Sequence, residues 1–423
     1  MGPRELLAGS FQAALAAADP LVIVPAHLPS PPAGKTLVVG AGKAAASMAA
    51  AVEASWPAGS PIEGVVITRY GHGVPTQRIR VIEAGHPVPD EAGEAAARET
   101  LERAAALDTE DLLLVLVSGG GSSLLSLPVD GVGMADLKEV TRELLASGAP
   151  IQEMNTIRKH LSVVQGGRLA AATRARVLAL VISDVTGDDP THIGSGPCSP
   201  DPTTYAEAIE ILERHGVTAP ASVAARLADG MAGKVAETPK PGDRAFDRTE
   251  VRVIATAHAC LMRAAAFVQH RGITPMVLGD SVTGESREVA KVHAAIARQL
   301  RRHSHPFRPP VAVISGGETT VTVRGSGRGG RCSEFLLSLA LELGGLEHAW
   351  ALAADTDGID GAESNAGAIV APDTLARARS AGLDAKRMLA NNDGFGFFSA
   401  LGDLVVTGPT RTNVNDYRIV LVQ

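Results

Sequence analysis

Aromatic residues are scarce in this sequence, at 3%. Its hydrophobic cores therefore have to be assembled from Ala, Val, Leu and Ile rather than from large rings. Basic residues are not in excess: 39 Lys and Arg face 46 Asp and Glu, a formal net charge of −7. That balance argues against nucleic-acid binding, which draws on a basic face. An anionic ligand would need a local cluster of Arg, Lys or backbone N–H groups. Cysteine is nearly absent, and Cys198, Cys260 and Cys332 stand far apart, which suggests neither a disulfide framework nor a zinc knuckle. No window reaches the ~18 uninterrupted apolar residues of a membrane span. The stretch 1–18 holds Arg4 and Glu5 and reads as an amphipathic helix rather than a signal peptide. The expectation is a soluble, cytoplasmic protein with no nucleic-acid and no membrane partner.

Apolar residues make up 45% and charged residues 20% of the 423 residues, enough to bury sizeable cores. At ~150 residues per domain that length predicts two or three domains. Short apolar runs alternate with Ala-rich helical stretches, the pattern of a parallel sheet covered by helices. Strands are expected at 36–40, 64–68, 79–83, 112–117 and 177–183. The run Leu112–Val117 is apolar throughout, as befits a central strand buried on both faces. Pro89 is expected to open a helix reaching about Leu107. Residues 228–248 are rich in Gly, Lys, Pro and Asp and read as an exposed connection. A second series follows, with strands at 251–255, 274–278, 311–315, 319–324, 349–354 and 418–422. The fold class is thus α/β, with two α/β domains, largely parallel sheets flanked by helices, and a cleft between the domains. The division is placed at 1–240 and 241–423.

In open α/β sheets ligands gather beyond the carboxyl ends of the strands, and five of these ends are unusual. The first reads Gly40-Ala41-Gly42-Lys43-Ala44-Ala45. Glycines between strand and helix let a backbone approach phosphate, and the helix start adds partial positive charge. Lys43 puts a cation inside the loop, although a tight turn with a solvated lysine is the plainer reading. The segment also fits G-x-G-x-x-A, the dinucleotide fingerprint, but Thr68-Arg69 stands near the place where that fingerprint expects an acid. The second end is Ser118-Gly119-Gly120-Gly121-Ser122-Ser123, a ligand-hugging loop or a glycine hinge. It is not a nucleophile elbow, because Leu124 replaces the closing glycine.

The third end, Ser183-Asp184-Val185-Thr186-Gly187-Asp188-Asp189, offers carboxylates for Mg2+ or for orienting a substrate hydroxyl. A turn and helix cap is the alternative for Asp188 and Asp189. The fourth runs from Ser315-Gly316-Gly317-Glu318 to Arg324, Arg328 and Arg331 through Gly325, Gly327, Gly329 and Gly330. Arginine forks and backbone N–H groups at a helix start both suit phosphate. The fifth, Asp355-Thr356-Asp357-Gly358-Ile359-Asp360-Gly361, lacks the spacing of an EF-hand and reads as an acidic ligand loop or as Asp-Gly turns. Asn155-Thr156-Ile157-Arg158-Lys159-His160 is a cationic helix that binds a carboxylate or forms a solvated face. Histidines show no metal-binding spacing, and no Walker A loop is present.

Taken together, GAGKAA, SGGGSSLL, SDVTGDDP, SGGETTVTVRGSGRGGR, DTDGIDG, NNDGF and TGPTRTNVND resemble the class II glycerate 2-kinases, whose C-terminal part is the MOFRL domain. The likeness spans about residues 5–422. It implies a Rossmann-like N-terminal domain, a MOFRL-type C-terminal domain, and a cleft holding ATP, Mg2+ and D-glycerate. It also implies ATP-dependent phosphorylation of the 2-hydroxyl; a monomer or homodimer is expected. Older usage sometimes labelled such chains hydroxypyruvate reductases, and an NAD(P)-dependent reductase is the alternative activity. By the resemblance, Lys43 and Arg331 contact the transferred phosphoryl group, and Asp184 and Asp189 match strand-end aspartates that orient the hydroxyl or hold Mg2+. Gly40, Gly42, Ser118, Gly119, Gly120, Gly121, Ser122, Glu318 and Arg328 are assigned to the cofactor. The chain departs from the family at Cys332-Ser333, where Asn-Gln is usual, and at Gln165, where Lys is usual.

Overall fold

Twelve strands assort into two six-stranded sheets, each in its own unit of the chain. The computed structural model describes all 423 residues. One unit is Pro20–Ile254; the other combines Met1–Asp19 with Ala255–Gln423. The α/β class expected from the alternating pattern is the class observed.

The first sheet has the order β3-β2-β1-β4-β5-β6. Its strands are β1 (Thr36–Ala41), β2 (Ile62–Arg69), β3 (Ile79–Ala84), β4 (Leu112–Val117), β5 (Arg176–Ile182) and β6 (Thr249–Ala255). The pairings among β1 to β5 are all parallel. β1 and β4 are buried along their whole length, the continuous apolar burial of central strands covered on both faces. β6 extends this sheet beyond β5, although its place in the sequence suggests the head of the second series. The helix expected from Pro89 begins two residues later. Asp90 is its N-cap, accepting the Gly93 N–H at 3.0 Å, and the helix runs Glu91–Ala105; a carboxylate that satisfies an orphan N–H outranks a proline's preset φ.

The polar stretch 228–248 is largely exposed or half-buried, and it is tied to the unit by hydrogen bonds. The backbone N–H of Asp201 donates to Pro239 O at 2.9 Å, and Glu237 accepts from the Tyr205 N–H at 2.9 Å while lying 3.2 Å from His160 Nε2. Beneath it Lys159 and Asp201 form an ion pair at 3.2 Å with both side chains wholly buried. Removing one member of such a pair strands the other charge in low dielectric. Lys159→Met is expected to lower stability by about 3–5 kcal/mol, measured by urea unfolding; a loss under about 1 kcal/mol would show that Asp201 is solvated in the native state.

The second sheet has the order β11-β10-β9-β12-β8-β7. Its strands are β7 (Thr274–Gly279), β8 (Val311–Ser315), β9 (Ala349–Asp355), β10 (Gly367–Val370), β11 (Leu404–Val405) and β12 (Asp416–Val422). Only β7 and β8 pair in parallel; β8–β12, β12–β9, β9–β10 and β10–β11 are antiparallel. The C-terminal strand inserts between β8 and β9, and its seven residues are all buried. Residues 319–324, expected as a strand, make only an isolated bridge at Thr320. The Glu285 carboxylate there takes the Thr322 N–H and hydroxyl, which replaces a ladder partner. Helix Pro3–Ala16 buries Leu6, Leu7, Phe11 and Ala14, and Phe11 stacks on Tyr417 with ring centroids 5.7 Å apart. No single helix is long and apolar enough to cross a membrane.

Candidate active site

In the unit 20–254 the loops after β1, β3, β4 and β5 meet at the carboxyl edge of the sheet. The β1 loop is locked to the β4 loop by backbone. Ser118 N–H donates to Ala41 O at 3.1 Å, and Lys43 N–H donates to Gly119 O at 2.8 Å. The buried Ser118 hydroxyl accepts the Ala44 N–H at 3.0 Å. Gly42 has φ +140°, and a β-carbon there would lie 2.1 Å from Ser118 Oγ, so this position admits only glycine. Gly40 faces Leu116 O across the β1–β4 ladder just as closely. Gly40, Gly42 and Ser118 therefore build the loop, and the N–H groups of Lys43 and Ala44 are spent inside it. What the loop presents is the Lys43 side chain, half-buried at the start of helix Ala45–Ser55.

At the same edge of the sheet lies a cavity of about 200 Å³ lined by Gly120, Ser122 and Ser123 of the β4 loop, Asp184 of the β5 loop, His86 after β3, and Asn155 and Arg158, with Lys43 outside its lining. Gly120 takes a left-handed conformation, φ +82°, with a would-be β-carbon 2.9 Å from the His86 ring. Gly121 packs on Ala41 O and Gly194. His86 Nδ1 lies 2.7 Å from Ser123 Oγ. The Ser122 and Ser195 hydroxyls lie 2.9 Å apart, where Ser122 can donate, and Gln165 Nε2 donates to Ser122 O at 2.8 Å and Leu125 O at 3.0 Å. Gln165 thus clamps the glycine loop through its backbone. Of the residues expected at the site, Gly120, Ser122 and Asp184 line this cavity. Asp189 sits further out, its Oδ1 accepting the Thr191 N–H at 2.8 Å and its Oδ2 4.0 Å from His192 Nε2. Burial pushes the Asp189 carboxyl upward, but the Thr191 hydrogen bonds and the nearby His192 and Lys159 outweigh it and hold it below the usual carboxylate range.

His86, Ser123, Asn155, Arg158 and His192 join the site without having been assigned to it. The signal for Arg158 was present: Met154 and Ile157 on the same helix are apolar and buried, so that helix packs into the unit and is not a solvated face. His86 follows a strand end, where the same inspection would have found it.

In the other unit the loop after β8 and the start of helix Arg331–Leu343 form an acidic nest around Arg331. Its Nε donates to Asp416 at 2.8 Å, and its Nη2 donates to Glu318 and to Asp355, each at 2.9 Å. Burial disfavours the guanidinium, yet Asp416, Glu318 and Asp355 together raise its pKa. Asp416 also pairs with Arg418 at 2.6 Å, wholly buried, and Arg418 donates to Gly316 O and Gly317 O, both at 3.1 Å.

The glycine-rich turn before Arg331 has a packing role. Asn392 Oδ1 accepts the Arg324 and Gly325 N–H groups, Asn391 Oδ1 the Ser326 N–H and Asp393 Oδ1 the Arg328 N–H. Gly325 and Gly327 lie too close to the 391–393 backbone for any side chain. The N–H groups of Cys332 and Ser333, expected to be free for phosphate, are taken by Asp360 at 2.9 and 2.8 Å. Arg328 is 64% exposed, pairs with Glu363 and stacks its guanidinium 4.5 Å from the Phe395 ring centroid.

Asp360 is fully buried, and desolvation pushes its carboxyl up to about 6 against the Ser333 and Cys332 hydrogen bonds that favour its charge. A folded-state value above the unfolded one means that folding takes up a proton, so this group's contribution is complete near pH 4 and is lost as pH rises through about 6. Asp360→Asn is expected to flatten the pH dependence of stability between pH 4 and 6 by roughly 1.4 kcal/mol per pH unit. Denaturation midpoints across that range test it; an unchanged slope would show that Asp360 titrates normally. The three cysteines are buried, and burial pushes the Cys198 and Cys260 thiols up to about 12, so none supplies a thiolate at neutral pH.

Residues 6–228 match the family described as a domain of unknown function (DUF4147), and residues 311–416 match the MOFRL family. A protein of Agrobacterium vitis provisionally named hydroxypyruvate reductase is 50% identical over 422 residues, 99% of this chain and 94% of that one. The D-glycerate 2-kinase of Thermotoga maritima is 40% identical over 391 residues, 92% of this chain and 91% of that one. The crystal structure of a glycerate kinase from Thermotoga maritima matches with a TM-score of 0.89 at 37% identity, covering 99% of both chains. By this likeness over nearly its full length, together with the MOFRL region that holds Glu318, Arg331 and Asp355, the chain belongs to the glycerate kinase family.

Proposed function

We propose that the chain transfers the terminal phosphoryl group of ATP to the 2-hydroxyl of D-glycerate, giving 2-phosphoglycerate. The observation that carries this reading is the cavity at the carboxyl edge of the first sheet, with a glycine loop, an acid and an arginine around about 200 Å³. A volume below the ~300–1,000 Å³ of drug-sized sites suits a three-carbon acid. In-line transfer spreads charge over the equatorial oxygens of the moving group, so positioning and cations matter more than a strong base. Lys43 is assigned to that charge, and Arg331 by the family resemblance. Asp184, which lines the cavity, is assigned to orient the hydroxyl.

Mg2+ keeps several waters and is held by one or two carboxylates together with phosphate oxygens. Asp184, which lines the cavity, and Asp189, which follows the same strand, are the two carboxylates proposed for it, and no cage of three or more His, Cys, Asp or Glu side chains surrounds a common point. With nucleotide bound they would hold the ion, which would neutralise phosphate charge. The remaining assignments of Gly119, Gly121, Glu318 and Arg328 to the nucleotide belong to the same proposal, as does a monomeric or homodimeric state. A coupled ADP-release assay over a panel of small hydroxy acids tests the activity, and phosphorus NMR of the product fixes the position. No ADP release with D-glycerate would refute it.

A second reading, NAD(P)-dependent reduction of hydroxypyruvate, draws on G-x-G-x-x-A lying between β1 and the following helix and on the name of the Agrobacterium relative. β2 ends in Thr68-Arg69, where a nicotinamide ribose calls for an acid. Loss of NADPH absorbance on adding hydroxypyruvate would favour this activity over the first.

A further inference from the structure

We propose that Arg158 is the carboxylate anchor of the cavity in the unit 20–254, so that the site selects small 2-hydroxycarboxylates and rejects neutral polyols of the same size. The inference rests on the kinase reading above and names the group that reads the substrate's charge.

Arg158 lies on helix Ile151–His160, one turn from Asn155, and both line the cavity. Its Nη1 donates to Asn155 Oδ1 at 3.2 Å. Asn155 is itself fixed: it donates from Nδ2 to His192 O at 3.3 Å and accepts from Ser195 Oγ at 3.2 Å. The guanidinium is therefore held in one direction by a buried amide, but one neutral acceptor is all it has. A guanidinium carries five N–H donors, and no carboxylate pairs with this one. Its neighbours on the same helix, Lys159 and His160, each lie against an acid, Asp201 and Glu237, and Arg158 does not.

Arg158 is half-buried at the cavity wall, a charge drawn partly out of water is favoured by an opposite partner, and burial lowers the pKa of its guanidinium with no opposing carboxylate. A ligand carboxylate supplies what is missing: two oxygens in the plane of the fork, in a charge-assisted pair. Asp184 on the same cavity gives it one acidic and one basic wall. A 2-hydroxy acid then enters in one orientation, its carboxylate on Arg158 and its hydroxyl toward Asp184.

Binding of D-glycerate, glyceramide and glycerol is measured by calorimetry without nucleotide on the wild-type protein, Arg158→Met and Arg158→Lys, and ADP release is then followed with D-glycerate. Arg158→Met is expected to weaken D-glycerate at least about 30-fold, the cost of truncating one side of a buried charge pair, while glyceramide changes less than about 3-fold. KM rises more than kcat falls, and Arg158→Lys recovers part of the affinity because the charge survives without the fork. The proposal is overturned if D-glycerate binds folded Arg158→Met as it binds the wild type, or if glyceramide loses as much as the acid. Should Arg158→Met not fold, Arg158→Lys decides: binding equal to wild type overturns the anchor. Wild-type binding of D-glycerate that the Met variant loses, without any ADP release, would defeat the kinase reading and leave the anchor standing; no wild-type binding defeats the anchor.

Discussion

Lys43→Ala is expected to lower kcat by about 10²-fold or more while leaving the melting temperature within a few degrees of wild type. The reason for the split is that the loop's architecture is carried by backbone. Lys43 N–H to Gly119 O, Ser118 N–H to Ala41 O and Ala44 N–H to Ser118 Oγ all survive truncation of the side chain. What is lost is a cation at the end of β1, beside the Ser118–Ser123 loop. A fixed charge aimed where negative charge develops needs no reorganisation during the reaction, which is why single such groups are worth orders of magnitude in rate. Lys43→Arg tests the geometry further, since it keeps the charge but alters reach and hydration. Steady-state kinetics and a thermal melt of each variant suffice. Near-normal turnover in Lys43→Ala would remove this residue from the chemistry.

The second large effect is expected at Arg331, and there stability and turnover fall together. Arg331→Met leaves Glu318, Asp355 and Asp416 without the guanidinium that each contacts at 2.8–2.9 Å. Asp416 keeps Arg418, but Asp355 is buried and loses the guanidinium on its Oδ2. About 3–5 kcal/mol of stability should go with it, read from chemical denaturation. Because the Met variant confounds folding with chemistry, Arg331→Lys is the informative partner. A lysine preserves the charge within the nest but cannot serve three carboxylates in a fork, so a folded protein with kcat reduced about 10²-fold is expected. Wild-type kcat in Arg331→Lys would assign the residue to the architecture of the β8 loop alone.

The structure changes the meaning of several glycines. In the segment before Arg331 they looked like the means by which a backbone approaches phosphate. Their neighbours are instead Asn391, Asn392 and Asp393, so the NNDGF motif and the glycine motif are the two halves of one packing contact. The helix start at Arg331 likewise looked open to an anion, and a carboxylate of this same chain, Asp360, occupies it. In the β1 loop Gly42 makes a close approach that only glycine allows, and the group approached is Ser118 of the β4 loop.

Much of the architecture was legible from residue order. Apolar runs such as Leu112–Val117 announce buried strands through composition and length, and Gly-rich strand ends mark where the chain must turn tightly, since both depend on neighbours a few residues away. The direction of the second sheet was not legible, because the strand that makes it antiparallel, Asp416–Val422, arrives from the far end of the chain to insert between β8 and β9. Nor could residue order show that Lys159 is matched by Asp201 while Arg158, one position earlier, is left without an acid. Charge pairing is set by distances in space, and only the packed chain brings residues forty positions apart, or keeps them apart, on the scale of a few ångströms at which electrostatics acts.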